Sequence, residues 1–325
     1  MKKLLTLILS AILLELAACG EAPEQAPVLE GTCVSTISAG PEGVAAILED
    51  GSLVCRGTVP GLAAGSTDDA GFVPVPDAPE GLLYIECRQF GALAVDADGV
   101  LYGWGTVDDW GSLEGVSEGP GGSLRLMDDV YMASGFGAWY TALMRDGSVC
   151  VWGNYNGENL TEPAVLLERA VYSTPGASIL ADGLLWLWGK LYARDGSVTA
   201  SFDEPVKAME NAASVSGAYA IDTEGTLHLL EWDGSGIRDT ELMEGVAKVM
   251  SLDYYTDSGY AAITQDGVLQ LHRDGQEPAV LLEDAVCMAN GEFSLYALDS
   301  QGGLWETDKA SLETKLILSG VKLPG

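Results

Sequence analysis

The sequence predicts an all-β fold, a seven-bladed β-propeller of four-stranded antiparallel blades, and three observations carry that prediction. One hairpin unit recurs seven times, each copy is flanked by two more short apolar runs, and helix signals are nearly absent. The clearest copy is Thr141 to Gly153, TALMRDGSVCVWG, in which Asp146-Gly147 separates two alternating apolar runs. Asp-Gly tolerates the positive φ of a tight turn, so this pattern specifies an antiparallel hairpin. The seven turn glycines are Gly51, Gly99, Gly147, Gly183, Gly225, Gly267 and Gly302, spaced 48, 48, 36, 42, 42 and 35 residues apart. Periods of this size mark repeated supersecondary units rather than one mixed core. The runs are short, glycine occurs 41 times, and no amphipathic segment persists beyond three helical turns.

Taken in order, the chain opens with Lys2, Lys3 and an apolar run from Leu4 to Leu14, too short for a confident membrane span. Leu16-Ala17-Ala18-Cys19 then resembles the lipobox of bacterial lipoproteins, which implies a signal peptide over residues 1–18 and a diacylglycerol thioether on Cys19. Acyl chains would hold the protein to a membrane without a spanning helix, facing the extracytoplasmic side. Residues 19–27 read as the lipidated cysteine and a flexible tether, and residues 28–325 as the propeller.

Within each repeat the first strand is an apolar run ending at a glycine, as in VYMASG to Gly135 and VYSTPG to Gly176. The Asp-Gly hairpin supplies the second and third strands. A Pro- or acid-led run supplies the fourth, as in EPAVLL from Glu162. Glycines belong where inner strands crowd together. Val28-Gly31 and Leu316-Gly320 both look like outer strands, and either is suited to complete the terminal blade and remove the free sheet edges.

The pattern A-L-x-x-D-G-x-[LV]-x-x-W-G resembles the regulator of chromosome condensation repeat over about residues 28–325. Trp104-Gly105, Trp152-Gly153 and Trp188-Gly189 keep its Trp-Gly, whereas Arg56-Gly57 keeps only the glycine and blades five to seven lose it. The resemblance implies a seven-bladed propeller. Its founding member binds chromatin and promotes nucleotide exchange, but no exchange wedge or basic tail matches here, and bacterial members of the family are more often secreted or surface binding modules.

Composition narrows the function. There are 48 acidic against 16 basic residues, a formal charge of -32. That surface repels phosphate backbones and anionic headgroups, so nucleic acid is excluded as an expected partner. The cysteines other than Cys19 are Cys33, Cys55, Cys87, Cys150 and Cys287; they fit no zinc template and read as small buried hydrophobes, with one disulfide such as Cys33 to Cys55 as the alternative. His228 and His272 fall in third strands at differing offsets and read as neutral strand residues. No nucleophile elbow, phosphate loop, HExxH or complete calcium loop is present, so no enzyme, cofactor or metal is expected.

Up-and-down strand order places the one-to-two and three-to-four loops on one face. The long three-to-four segments contribute Asp108, Asp109, Trp110, Tyr155 and Asn156, and the one-to-two loops contribute Trp139, Tyr140, Tyr254 and Tyr255. Loop aromatics over a rigid scaffold offer contact area at low entropy cost. The expected function is therefore a lipid-anchored, non-enzymatic propeller that binds a protein on this face. Envelope carbohydrate is the alternative, which requires a groove rather than a flat face; a carboxylate-based enzyme acting on polysaccharide comes third.

Overall fold

A computed structural model describes residues 35–62, 71–88, 91–105, 113–192, 198–252 and 259–324. The leader, Cys19, the tether and Val28-Gly31 lie outside them, and among the described residues no helix is long and apolar enough to cross a membrane. Seven antiparallel sheets follow one another along the chain, and in six of them the strands pair in sequence order. Blade 3, for example, runs Val130–Phe136, Trp139–Met144, Val149–Tyr155 and Glu158–Leu167. Blade 2 departs from the expected four strands, because Ser117–Glu118 adds a short fifth against Leu124–Met127. The single helical turn among the described residues is the 3-10 segment Pro120–Gly122.

All seven turn glycines have left-handed φ, between 77° and 88°. An acid beside each of several turns locks it. Asp146 Oδ1 accepts the Ser148 amide at 2.9 Å, and Asp96 Oδ1 accepts the amides of Asp98 and Val100 at 3.0 and 2.8 Å. Asx bonds of this kind satisfy turn amides that the ladder leaves over.

The tryptophans of the three Trp-Gly pairs, Trp104, Trp152 and Trp188, are 1%, 0% and 0% exposed and fill the space between neighbouring blades. Cys55, Cys87, Cys150 and Cys287 are all buried, and Cys33 lies outside the described residues. Burial pushes the Cys87 thiol up to about 12.

The ring is closed from the C-terminal side. Thr314–Leu318 forms the outer strand of blade 7, against Leu304–Asp308. Beyond it the chain crosses to blade 1: Val321 bridges Leu48, Lys322 donates its amide to Ile47 O at 2.9 Å, and Thr36 Oγ1 donates to Lys322 O at 2.6 Å. An ion pair spans the same seam, from Arg56 Nη2 of blade 1 to Glu306 Oε2 of blade 7 at 2.8 Å, with Lys315 Nζ at 3.1 Å from the same carboxylate oxygen.

Candidate functional site

A difference in hairpin length creates a recess on the loop face. In blades 1, 2, 3, 6 and 7 the second strand pairs with the third at least as far as the sixth residue past the turn glycine, at Gly57, Gly105, Gly153, Arg273 and Asp308. In blades 4 and 5 pairing stops at the fourth, at Leu187 and Leu229. Pro175-Gly176 and Gly217-Ala218 therefore turn the chain two residues early. Pro pre-sets the first turn position and Gly176, at φ 89°, supplies the second.

The third strand of blade 4 does not stop early. Leu185–Tyr192 rises beside the outer strand Val198–Met209, with Gly189 opposite Phe202, Lys190 opposite Ser201 and Leu191 opposite Ala200. Above the shortened inner hairpin this leaves a cavity of about 860 Å³, reaching from blade 3 to Leu252 and Gly259 of blade 6. The motif glycine shows the difference in one residue. A Cβ on Gly153 would sit 2.5 Å from Ala138 O, and one on Gly57 would strike Glu42 O, whereas one on Gly189 meets nothing within 4 Å.

Blade 3 supplies the aromatic wall. Trp139 meets Tyr155 edge-on at 5.5 Å between ring centroids and lies 5.3 Å from Trp188, which is itself 6.1 Å from Tyr155. Such offset and edge contacts hold the rings rigidly. Trp188 donates Nε1 to Ser178 Oγ at 3.3 Å, which fixes the buried member. Around the opening stand the exposed side chains of Asn154, Asn156, Lys190, Ser201 and Asp203. Within the lining, the buried Thr174 Oγ1 has no hydrogen-bond partner among the described residues. Burial raises the Tyr155 phenol above its ordinary value, so it stays neutral and available as a donor. Size and lining match a ligand pocket: concave, largely apolar, with a few polar groups at its mouth.

Of the residues expected on this face, Trp139, Tyr155 and Asn156 line the cavity. Tyr140 does not: it is 3% exposed, stacked on Trp152 at 5.5 Å, with the Arg88 guanidinium 5.3 Å from its ring centroid. Successive strand side chains point to opposite sides, so Trp139 and Tyr140 do not share a face. Asp108, Asp109, Trp110, Tyr254 and Tyr255 lie outside the described residues. The lining residues Lys190, Phe202 and Asp203 were not expected from the sequence, yet the shortened hairpins do leave a signal there. Gly135 and Gly147 are twelve residues apart, whereas Gly176 and Gly183 are seven apart and Gly217 and Gly225 eight.

Both histidines sit in third strands. His228 lies between carboxylates, with Nδ1 2.8 Å from Asp239 and Nε2 3.4 Å from Asp222. His272 stacks on Tyr260 at 4.5 Å, and burial lowers its pKa, which keeps it neutral. Neither lines the cavity, and among the described residues no cluster of His, Cys, Asp or Glu is arranged to hold a metal.

Fold and recess together define the class, a seven-bladed β-propeller with an aromatic-walled pocket on its loop face. No family model matches the sequence, and no curated protein matches it. Among solved structures, human WBSCR16 is similar with a TM-score of 0.58 at 14% identity, over 79% of this chain and 84% of that one. Prp20p from Saccharomyces cerevisiae, described with its binding to Gsp1p and histones, is similar with a TM-score of 0.56 at 13% identity, over 78% of this chain and 80% of its own. At such identities the likeness establishes the propeller fold alone.

Proposed function

We propose that this chain is a non-enzymatic binding propeller, held at the extracytoplasmic face of a cell membrane through lipid on Cys19, that takes a protein partner in the recess over blades 4 and 5. The observation that carries the reading is the pocket itself, where rigid Trp139, Tyr155 and Trp188 stand beside amide, hydroxyl and charged groups. Tyrosine and tryptophan anchors seated in a recess, with a polar rim, are the usual make-up of a binding hot spot. The likeness to Prp20p supports the reading only in that a propeller of this shape serves protein binding in yeast.

Concavity favours one second reading. Aromatic rings in a groove, flanked by Asn154, Asn156 and Asp203, also suit a saccharide stacked on Trp139. The two separate by photo-crosslinking in the host cell, with a photoreactive residue placed at Asn156 and, as control, at Asp182 in an Asp-Gly turn on the opposite face. A protein adduct from position 156 that is lost in Trp139→Ala supports the protein reading. Retention of envelope glycan without a protein adduct moves the assignment to carbohydrate. Globomycin-sensitive processing and labelling by a palmitate analogue that disappears in Cys19→Ser tests the anchor.

A further inference from the structure

The recess holds an unpaired strand edge. In blade 3 the seventh residue past the turn glycine, Asn154, donates its amide to Ala138 O at 2.9 Å, because the inner hairpin still stands beside it. Its counterpart in blade 4 is Lys190. There the second strand, Ala177–Leu180, ends its pairing at Leu187, and the turn carbonyl of Gly176 takes only the Trp188 amide, at 2.9 Å. Among the described residues, the third strand from Gly189 to Tyr192 is paired on its outer side alone. Among the described residues nothing bonds the Lys190 main chain from the side of the propeller axis, and Gly189, Lys190 and Leu191 all line the cavity. Blade 5 repeats the arrangement at Trp232, paired outward with Ile237 and without an inner partner in the ladder.

Unpaired strand amides and carbonyls are templates for another strand. Edges elsewhere are kept at the rim of a propeller; this one faces a pocket with an aromatic side wall. We infer that the recess takes an extended peptide segment of the partner protein, which adds as a short strand to the inward edge of Gly189–Tyr192 in the place left by the truncated hairpin. This rests on the protein-partner reading above. Main-chain bonds to Lys190 supply affinity largely independent of sequence, while Trp139 and Tyr155 take an apolar side chain on one face of the added strand. The chain's charge of -32, with Glu158 and Glu204 exposed on the outer strands of blades 3 and 4, selects a segment flanked by lysine or arginine.

The test uses the full chain in detergent micelles and a fluorescein-labelled heptapeptide library with lysine at both ends and five randomised central positions. The tightest member is resynthesised with N-methyl groups on its odd or on its even residues. Strand addition engages alternate amides, so one set must weaken binding at least tenfold and the other must not. Hydrogen exchange of the Lys190 amide must be fast in the chain alone and slow with the peptide bound. Lengthening the hairpin around Pro175-Gly176 by two residues in each arm, as in blade 3, must abolish binding.

Equal effects of the two N-methyl sets, slow exchange in the free chain, or no binding member overturns strand addition. If position 156 still crosslinks a protein in cells, the binding reading stands and only this mode of binding falls. If chitohexaose or cellohexaose binds the chain in a Trp139-dependent way and no peptide does, both fall.

Discussion

Alanine at two equivalent glycines should have unequal costs. Gly153 and Gly189 each close a Trp-Gly pair and have φ of 85° and 68°. An alanine forced into the left-handed region costs about 1–2 kcal/mol at either position. At Gly189 that is the whole cost, because its Cβ enters open space. At Gly153 the Cβ would lie 2.5 Å from Ala138 O and 3.1 Å from Trp139 Cα, inside an intact ladder. Relieving that overlap adds roughly 1–3 kcal/mol of overpacking. Gly153→Ala is therefore expected to be less stable than Gly189→Ala by about 1–3 kcal/mol. Urea unfolding followed by tryptophan fluorescence measures the difference. Equal losses, or a larger loss at Gly189, would mean that the space above Gly189 is filled and the recess does not exist.

The seam between blades 1 and 7 should be acid-sensitive. Burial raises the Glu306 pKa, but Arg56 and Lys315 outweigh burial and leave it below its ordinary 4.5. The ionised carboxylate is thus favoured in the fold, so its contribution is full above pH 4.5 and is lost as pH falls below it. Glu306→Gln should cost about 1–3 kcal/mol at neutral pH and flatten acid unfolding in that range. A Glu306→Gln acid-unfolding curve that overlays the wild type removes the closure role. Cys87 and Cys150 should resist an aromatic disulfide reagent at pH 8 until urea is added, since burial raises both thiols; prompt reaction in the native state would contradict their burial. Trp188→Ala should cost about 3–5 kcal/mol, as expected for a buried ring that also braces Trp139. A loss under 1 kcal/mol would show that the aromatic wall stands without it.

The blades were legible because each is local. An Asp-Gly flanked by alternating apolar runs specifies its hairpin within about a dozen residues, and the seven left-handed turn glycines follow from that alone. Closure was legible only as a choice, since Val28-Gly31 and Leu316-Gly320 carry the same outer-strand pattern. The contacts of Val321 and Lys322 with blade 1 come from the far end of the chain, beyond the reach of a local pattern. The loop face was legible from strand order, and Trp139, Tyr155 and Asn156 fall in its cavity. Tyr140 is turned away from it, because strand alternation, which loop position does not reveal, points its ring toward Trp152. The recess itself was missed because it is a shortening. No residue type announces it, and it shows only in the seven- and eight-residue spacing from Gly176 to Gly183 and Gly217 to Gly225.

Whether the recess over blades 4 and 5 is the ligand site is tested most directly by paired crosslinking at Asn156 and Asp182 in the host cell. A protein adduct at position 156, absent at 182 and absent in Trp139→Ala, is the expected result. An adduct at position 182 that survives Trp139→Ala would put the working face on the opposite side of the propeller.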